Sequence, residues 1–262
     1  MNKLLVIGVD GLGYDNLTKH LYKYMNFTYQ LCRKHTCIRI PLDVAVSPRN
    51  WVRIFAGVDL PWYNLYITQI TDDKWRLIRR YELPVKFIWD IHTDMVVINA
   101  PVVCPPLCKN TGFRPIAHGL PFTVDEWISE INSVTLHARM NLSLDKNVIA
   151  CYTVVDRMLH VTAYRPTIER VLTALDMAVA NLIALANRRN YKWIIVSDHG
   201  MKRTSTFMHG MVAPRHDMPY IRTVLRAVHQ HDNNAIVITN VKGAKVKKLT
   251  DVYKLMLKIL SS

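Results

Sequence analysis

The chain lacks the long apolar run that marks a membrane span. Half of its 262 residues are apolar, yet no stretch approaches the roughly 20 consecutive apolar residues that a spanning helix needs. A soluble chain with no membrane partner is expected. Cysteine is also scarce. The five present (Cys32, Cys37, Cys104, Cys108 and Cys151) form neither a C-x-x-C pair nor an even, dense framework, so unpaired thiols in a reducing interior are expected, with the cytoplasm as location. The first apolar segment, Leu4–Val9, is too short for a signal-peptide core and runs straight into Asp10-Gly11, so no export signal is read. Zinc-finger spacings, an aromatic RNA-binding signature, internal repeats and low-complexity tracts are missing too, which excludes dedicated nucleic-acid modules and solenoids. Negative charge is short: 20 Asp and Glu face 34 Lys and Arg, for a formal net charge of +14. That imbalance predicts attraction to phosphate-rich partners without choosing among nucleotide, nucleic acid and anionic surface. One basic run, KGAKVKK at 242–248, reads as a solvated loop.

What is present is an alternation of short β-branched runs with longer helical patterns. Strands are predicted at 4–9, 37–40, 95–98, 148–154, 193–196 and 235–239. Their continuous apolar character suits a parallel sheet buried on both faces. Between the fourth and fifth, residues 166–188 place Val171, Leu172, Leu175, Val179 and Leu182 at spacings near 3.6, an amphipathic crossover helix opened by Pro166. Thr250–Leu260 repeats the pattern with Val252, Leu255, Met256 and Ile259. The expected fold class is α/β, one domain over 1–262, with a mostly parallel central sheet sandwiched by helices. Residues 101–145, rich in proline and holding one weak helix at 124–131, read as a small inserted loop or lid.

The chemistry is expected at the carboxyl ends of the strands, where parallel sheets bind ligands. Asp10 follows LLVIGV, Asp156 follows VIACYTVV, and Asp198-His199 follows WIIVS. In D-R-M-L-H, Asp156 and His160 are one helical turn apart and can grip one ion together. His209, followed by Gly210, adds another imidazole. Three carboxylates and three imidazoles make a donor set for a pair of divalent cations of the Zn²⁺ type, with Mn²⁺ or Mg²⁺ open. Cys104 and Cys108 read as structural thiols, and Trp51, Trp62 and Trp75 as packing residues.

The ordered motifs V-I-G-V-D-G at 6–11, S-P-R-N-W-V-R-I-F-A-G at 47–57, N-A-P-V-V-C-P-P at 99–106, D-R-M-L-H at 156–160, S-D-H-G-M at 197–201 and H-G at 209–210 resemble the type I phosphodiesterase/nucleotide pyrophosphatase family of the alkaline phosphatase superfamily. The resemblance implies an alkaline-phosphatase-like domain with a reduced lid. It also implies two metals: Asp10, Asp198 and His199 at one with the nucleophile, and Asp156, His160 and His209 at the other. Counting back ten residues from Gly57, with Trp51 in register, the nucleophile is Ser47, itself a metal ligand. Most relatives have Thr with Pro two residues on, whereas here Pro48 follows Ser47 directly. His216 is the alternative to His209, which the H-G motif favours. Asn50 is a candidate hydrogen-bond donor to a non-bridging oxygen, and Arg49 and Arg53 are candidate substrate-binding charges. The implied activity is metal-dependent cleavage of phosphodiester or pyrophosphate bonds in an anionic, nucleotide-type substrate through a phosphoserine. A phosphomonoesterase of the same superfamily and a degenerate nucleic-acid-binding relative are the alternatives, while S-P-R-N-W does not fit the sulfatase motif.

Overall fold

The computed structural model describes residues 3–60, 67–71, 74–77, 84–101, 123–204, 207–212, 220–226 and 228–262, with the backbone alone in 67–71, 74–77, 207–212 and 220–226. In chain order the elements begin with β1 (Leu4–Val9), a π-helical turn (Asn16–Leu21), α1 (Asn26–Lys34), β2 (Thr36–Pro41) and α2 (Ser47–Ala56). There follow β3 (Ile67–Thr71), β4 (Lys74–Leu77), α3 (Ile88–Ile91), β5 (Val96–Ile98), α4 (Val124–Ser143), β6 (Val148–Tyr152), α5 (Val154–Val161) and α6 (Arg165–Arg188). The chain closes with β7 (Lys192–Val196), β8 (Gly200–Arg203), β9 (Phe207–Val212), β10 (Tyr220–Arg226), β11 (His229–Asp232), β12 (Asn234–Thr239) and α7 (Thr250–Leu260).

Six strands form the central sheet in the order β2-β12-β7-β1-β6-β5. β1 lies at its middle, parallel to β6 on one side and to β7 on the other. Period-2 alternation explains why every residue of β1 is apolar or glycine. Leu5, Ile7 and Val9 face a core built with α1, α4, α5 and α6, while Leu4 and Val6 face one built with α2, α3 and α7. The predicted α/β sandwich is therefore observed, with one difference. β12 runs antiparallel to both β7 and β2, because the short ribbon of β8 and β11 returns the chain to the carboxyl end of the sheet before β12 descends.

The lid reading of 101–145 is corrected over its second half. Residues 124–143 form a 20-residue helix whose Trp127, Ile131, Val134, Ala138 and Leu142 pack into the core against α6 and β6. Its start carries a reciprocal cap: Glu126 N–H donates to Thr123 Oγ1, and Thr123 N–H to the Glu126 carboxylate. The expected strand at 148–154 ends at Tyr152, where α5 begins. Cys32 and Cys37 are joined by a disulfide between α1 and β2, against the expectation of unpaired thiols, whereas Cys151 is free and buried. Cys104, Cys108, Trp62, His216 and the last five residues of the 99–106 motif lie outside the described residues, as does the Trp75 side chain. No described helix is long and apolar enough to cross a membrane.

Candidate active site

Three strand ends and one helix start meet above the middle of the sheet. β1 delivers Asp10, and the turn that follows passes so close to α5 that a Cβ on Gly11 would stand 2.9 Å from Asp156 Cα; Gly11 also holds a left-handed φ of +77°. The Asp156 N–H donates to Asp10 C=O at 3.1 Å, fixing the start of α5 against β1. Asp156 and His160 then share the inner face of α5. β7 ends in Ser197, Asp198 and His199, all fully buried.

α2 presents Ser47 in its first turn. Pro48 fits there because a first-turn residue needs no intrahelical N–H bond, so the Ser-Pro sequence costs the helix nothing. Gly57 closes α2 in the left-handed region, donating its N–H to Arg53 C=O. Ser47 Oγ stands 2.7 Å from His199 Nε2 and 3.5 Å from Asp10 Oδ1, at the positive end of the helix dipole.

The donors fall into two sets. Around the first, His199 Nε2 lies 3.3 Å from Asp10 Oδ1 and 3.2 Å from Asp198 Oδ2. In the second, His160 Nε2, His231 Nε2 and Asp156 Oδ1 form a triangle with sides of 3.0, 3.1 and 3.1 Å. Three donors around one tetrahedral cation with bonds of about 2.0–2.1 Å are spaced by about 3.3 Å. His199 Nε2 lies 3.8 Å from Asp156 Oδ1, so the two sets adjoin.

The imidazole orientations carry more information than the distances. Nδ1 of His160, His199 and His231 each faces a backbone carbonyl, of His229, Gly200 and Ala45 respectively, at 2.8–2.9 Å. Donation there places the proton on Nδ1 and leaves the Nε2 lone pairs aimed into the site, as in metal-ligating histidines. Two such lone pairs 3.0 Å apart repel each other unless a cation or a proton lies between them. Asp156 Oδ1 and Asp198 Oδ2 are buried and accept no well-aligned hydrogen bond. The residues therefore fit a pair of cations, and the chain carries two candidate metal sites.

The electrostatics agree. Burial acts to lower the His160 pKa, but the Asp156 carboxylate outweighs it and carries the imidazole up to about 9. Burial would raise Asp156, yet His160 and His231 hold it well below the usual carboxylate range. Asp198 is pushed well above that range by burial and by the charges of Asp10 and Asp156. The crowded carboxylates thus draw protons onto His160 and Asp198, positive charge of the kind that bound cations would supply.

Behind α5 lies a further buried carboxylate. Glu130 of α4 accepts from the Thr153 N–H at 2.6 Å and from the Thr153 hydroxyl, and pairs with Arg157 at 3.1 Å. This anchors the first turn of α5 from the side opposite Asp10. Trp51, fully buried, stacks on Phe55 and donates Nε1–H to Asp10 Oδ2 at 3.3 Å, a packing residue that also orients a donor.

Two expectations are corrected by this geometry, and one donor is added to the set. Asn50 spends both amide hydrogens on Val44 C=O and Asp198 C=O and its oxygen on Arg53, so it fixes α2 against the β7 end and keeps no donor for a substrate oxygen. Arg49 and Arg53 are both clamped by Asp59 and Asp43, which neutralise them. The His209 side chain lies outside the described residues, its backbone standing in β9 opposite Val224; among the described residues the third donor beside Asp156 and His160 is His231. His231 arrives through pairing of β11 with β8, opposite Met201, and its ring stacks on His199 at 3.8 Å. The H-Q-H segment at 229–231, histidines two apart on a strand, is the signal that could have found it.

The family profile of type I phosphodiesterase/nucleotide pyrophosphatase matches residues 111–261, which include the three histidine-bearing motifs at 156–160, 197–201 and 209–210. Among curated proteins no sequence matches the chain. Solved structures do match in fold. Murine ectonucleotide pyrophosphatase/phosphodiesterase 5, an inactive form in complex with AMP, superposes with a TM-score of 0.65 at 14% identity, covering 100% of this chain and 95% of its own. Phosphonoacetate hydrolase from Sinorhizobium meliloti 1021, in complex with phosphonoformate, gives 0.66 at 8% identity, covering 98% and 95%. With the family profile matched over more than half of the chain, and the same fold around two clustered donor sets, the chain belongs to the type I phosphodiesterase/nucleotide pyrophosphatase family.

Proposed function

We propose that the protein is a metal-dependent hydrolase that cleaves phosphodiester or pyrophosphate bonds of an anionic, nucleotide-type substrate, with Ser47 as nucleophile. The observation that carries this reading is the approach of Ser47 Oγ to His199 Nε2 at 2.7 Å and to Asp10 Oδ1 at 3.5 Å, beside the first of two adjoining donor sets. Asp10, Asp198 and His199 with Ser47 would hold one divalent cation, and Asp156, His160 and His231 the other. When bound, the pair supplies Lewis-acid charge to the attacking and leaving oxygens. The chain's own residues do the rest. The α2 N-terminus, tied to β7 by Asn50, aims Ser47 Oγ and favours negative charge on it. Attack forms a Ser47 Oγ–P bond as the bond to the leaving oxygen breaks, and water then cleaves the phosphoserine. AMP bound by the murine relative and phosphonates bound by the bacterial one support an anionic phosphoryl substrate.

The test is hydrolysis of bis(p-nitrophenyl) phosphate and of p-nitrophenyl phosphate with Zn²⁺, Mn²⁺ or Mg²⁺, alongside metal analysis. The diester should be cleaved faster, and Ser47→Ala should lower turnover by about 10³-fold or more with metal content retained. Near wild-type turnover in Ser47→Ala would remove Ser47 from the nucleophile role. Faster monoester cleavage would make the protein a phosphatase, and a metal-free, inactive protein would refute the enzymatic reading.

A further inference from the structure

Independently of that reading, the positive charge of this chain has an address. Among the described residues at the carboxyl ends of the strands, several basic side chains near the candidate site are paired: Arg49 and Arg53 with Asp43 and Asp59, Arg39 and Lys19 with Asp15, and Arg157 with Glu130. The opposite edge of the same sheet is different. Arg33 and Lys34 end α1 just before β2, and Lys146 precedes β6. Arg188, Arg189 and Lys192 bracket the turn from α6 into β7. Lys242, Lys245, Lys247 and Lys248 fill the loop after β12, and Lys3 opens β1.

These segments form one continuous face, because hydrogen bonds stitch them together. Lys192 N–H donates to Lys3 C=O, Trp193 N–H to the Asn240 side chain, Asn240 Nδ2 to Tyr191 C=O, and the Tyr191 hydroxyl to Lys146 C=O. The His35 ring meets Trp193 edge-on at 5.0 Å. Across residues 33–36, 145–147, 188–192 and 240–248 the single carboxylate is Asp145, which Lys3 and Arg189 share. Asp251, bordering the face, is engaged by the N–H groups of Lys247 and Lys248. The remaining nine basic side chains make no ion pair with a described residue, and all nine are exposed.

We propose that this face, at the amino ends of the strands, binds the phosphate backbone of nucleic acid without reading its sequence, at a site separate from the candidate active site. The charges come from five adjacent strand positions, β2, β12, β7, β1 and β6, which at strand spacing span about 19 Å. A duplex presents a charge about every 1.7 Å, so that span faces on the order of ten phosphates. Long, unpaired lysine and arginine side chains suit this contact, which releases condensed counterions and needs no fixed geometry. Within the four segments no large apolar side chain is exposed; the exposed Leu136, Met140 and Leu144 lie along α4 and its end, at the border beside Arg188, so the basic loops themselves present charge without an inserting apolar surface, which favours nucleic acid over an anionic membrane.

The test measures binding of a fluorescein-labelled DNA duplex of about two helical turns to the intact protein by anisotropy, as a function of salt. With eight or so phosphate contacts, affinity should fall on the order of 10³–10⁵-fold between 50 and 200 mM salt. With Lys242, Lys245, Lys247 and Lys248 all changed to glutamine it should fall only about 10²-fold over the same range. A second variant from other loops, Arg33→Gln/Lys34→Gln/Lys192→Gln, should also flatten the salt dependence, and circular dichroism checks that both remain folded. Saturating AMP should leave duplex binding unchanged. Wild-type affinity and slope in both folded variants would overturn the proposal. So would displacement of the duplex by AMP, or binding of phosphatidylserine vesicles with none of the duplex.

Discussion

Gly11→Ala should separate the two donor sets. Two costs add at this position. The left-handed φ of +77° disfavours any Cβ by about 1 kcal/mol net, and the new methyl would lie 2.9–3.0 Å from Asp156 Cα, Cβ and N, backbone that cannot step aside without moving α5. Overpacking against such a neighbour costs about 1–3 kcal/mol. The sum is roughly 3 kcal/mol, or about 6–12 °C in Tm at 2–4 °C per kcal/mol. Two other glycines divide the terms. Gly243→Ala, with φ of +68° and nothing within 4 Å, carries the conformational cost alone; Gly8→Ala, without positive φ but 2.7 Å from Cys151 Sγ, carries the steric cost alone. The expected order of thermal and urea stability is wild type, then Gly243→Ala, then Gly11→Ala. Only Gly11→Ala, and not Gly243→Ala, should also lose metal content, because shifting α5 draws Asp156 and His160 away from Asp10. A Gly11→Ala protein as stable as Gly243→Ala, with full metal content, would refute the claim that this close approach seats one set against the other.

Two further outcomes follow from the site and its rim. His231→Ala should drop retained metal to about one ion per chain while Gln230→Ala keeps both; loss of the second ion in His209→Ala instead of His231→Ala would return that role to β9. On the rim, hydrogen bonds from Arg49 and Arg53 hold the Asp59 carboxyl below the ordinary range, and Arg53 does the same for Asp43. A carboxylate depressed in the folded state stabilises it above the unfolded pKa of about 3.9, and that stability is lost as pH falls through the folded value. Asp59→Asn should therefore be less stable than wild type at pH 7, with the difference shrinking below roughly pH 4 in urea titrations; a constant difference down to low pH would show that Asp59 contributes nothing through its charge.

The sequence carried most of what a run of apolar residues can encode. Leu4–Val9 and Thr250–Leu260 emerge with the expected bounds, and the carboxylates placed at strand ends by LLVIGV and WIIVS do converge. What was missed depends on pairing partners, which local pattern does not contain. β12 has the same apolar run whether parallel or antiparallel, and only its connection through β8 and β11 sets the direction. His231 sits in a polar four-residue strand with no hydrophobic periodicity, and gains its place from register with residues 30 positions earlier. α4 was hidden by Ser, Asn and Thr in its middle, although Thr123 and Glu126 spell a capping box at its start. Arg49 and Arg53 resembled substrate clamps because nothing in S-P-R-N-W-V-R reveals that Asp43 and Asp59 flank them in space.

The central place of β1 also sets a timetable for synthesis. Its register partner across one edge, Val148 opposite Leu5, lies 143 residues later, and across the other edge Lys192 faces Leu4 from 188 residues along the chain. At translation rates of about 5–20 residues per second, roughly 10–30 s separate the appearance of this wholly apolar strand from that of its first neighbour. During that interval its unpaired N–H and C=O groups and six buried-to-be residues have only the helices α1 to α4, and no strand that pairs with them, for shelter. Such long-range pairing makes for slow folding and a nascent chain dependent on chaperone cover, so expression at reduced temperature or with a co-expressed holdase should raise the soluble yield more than any change made at the surface.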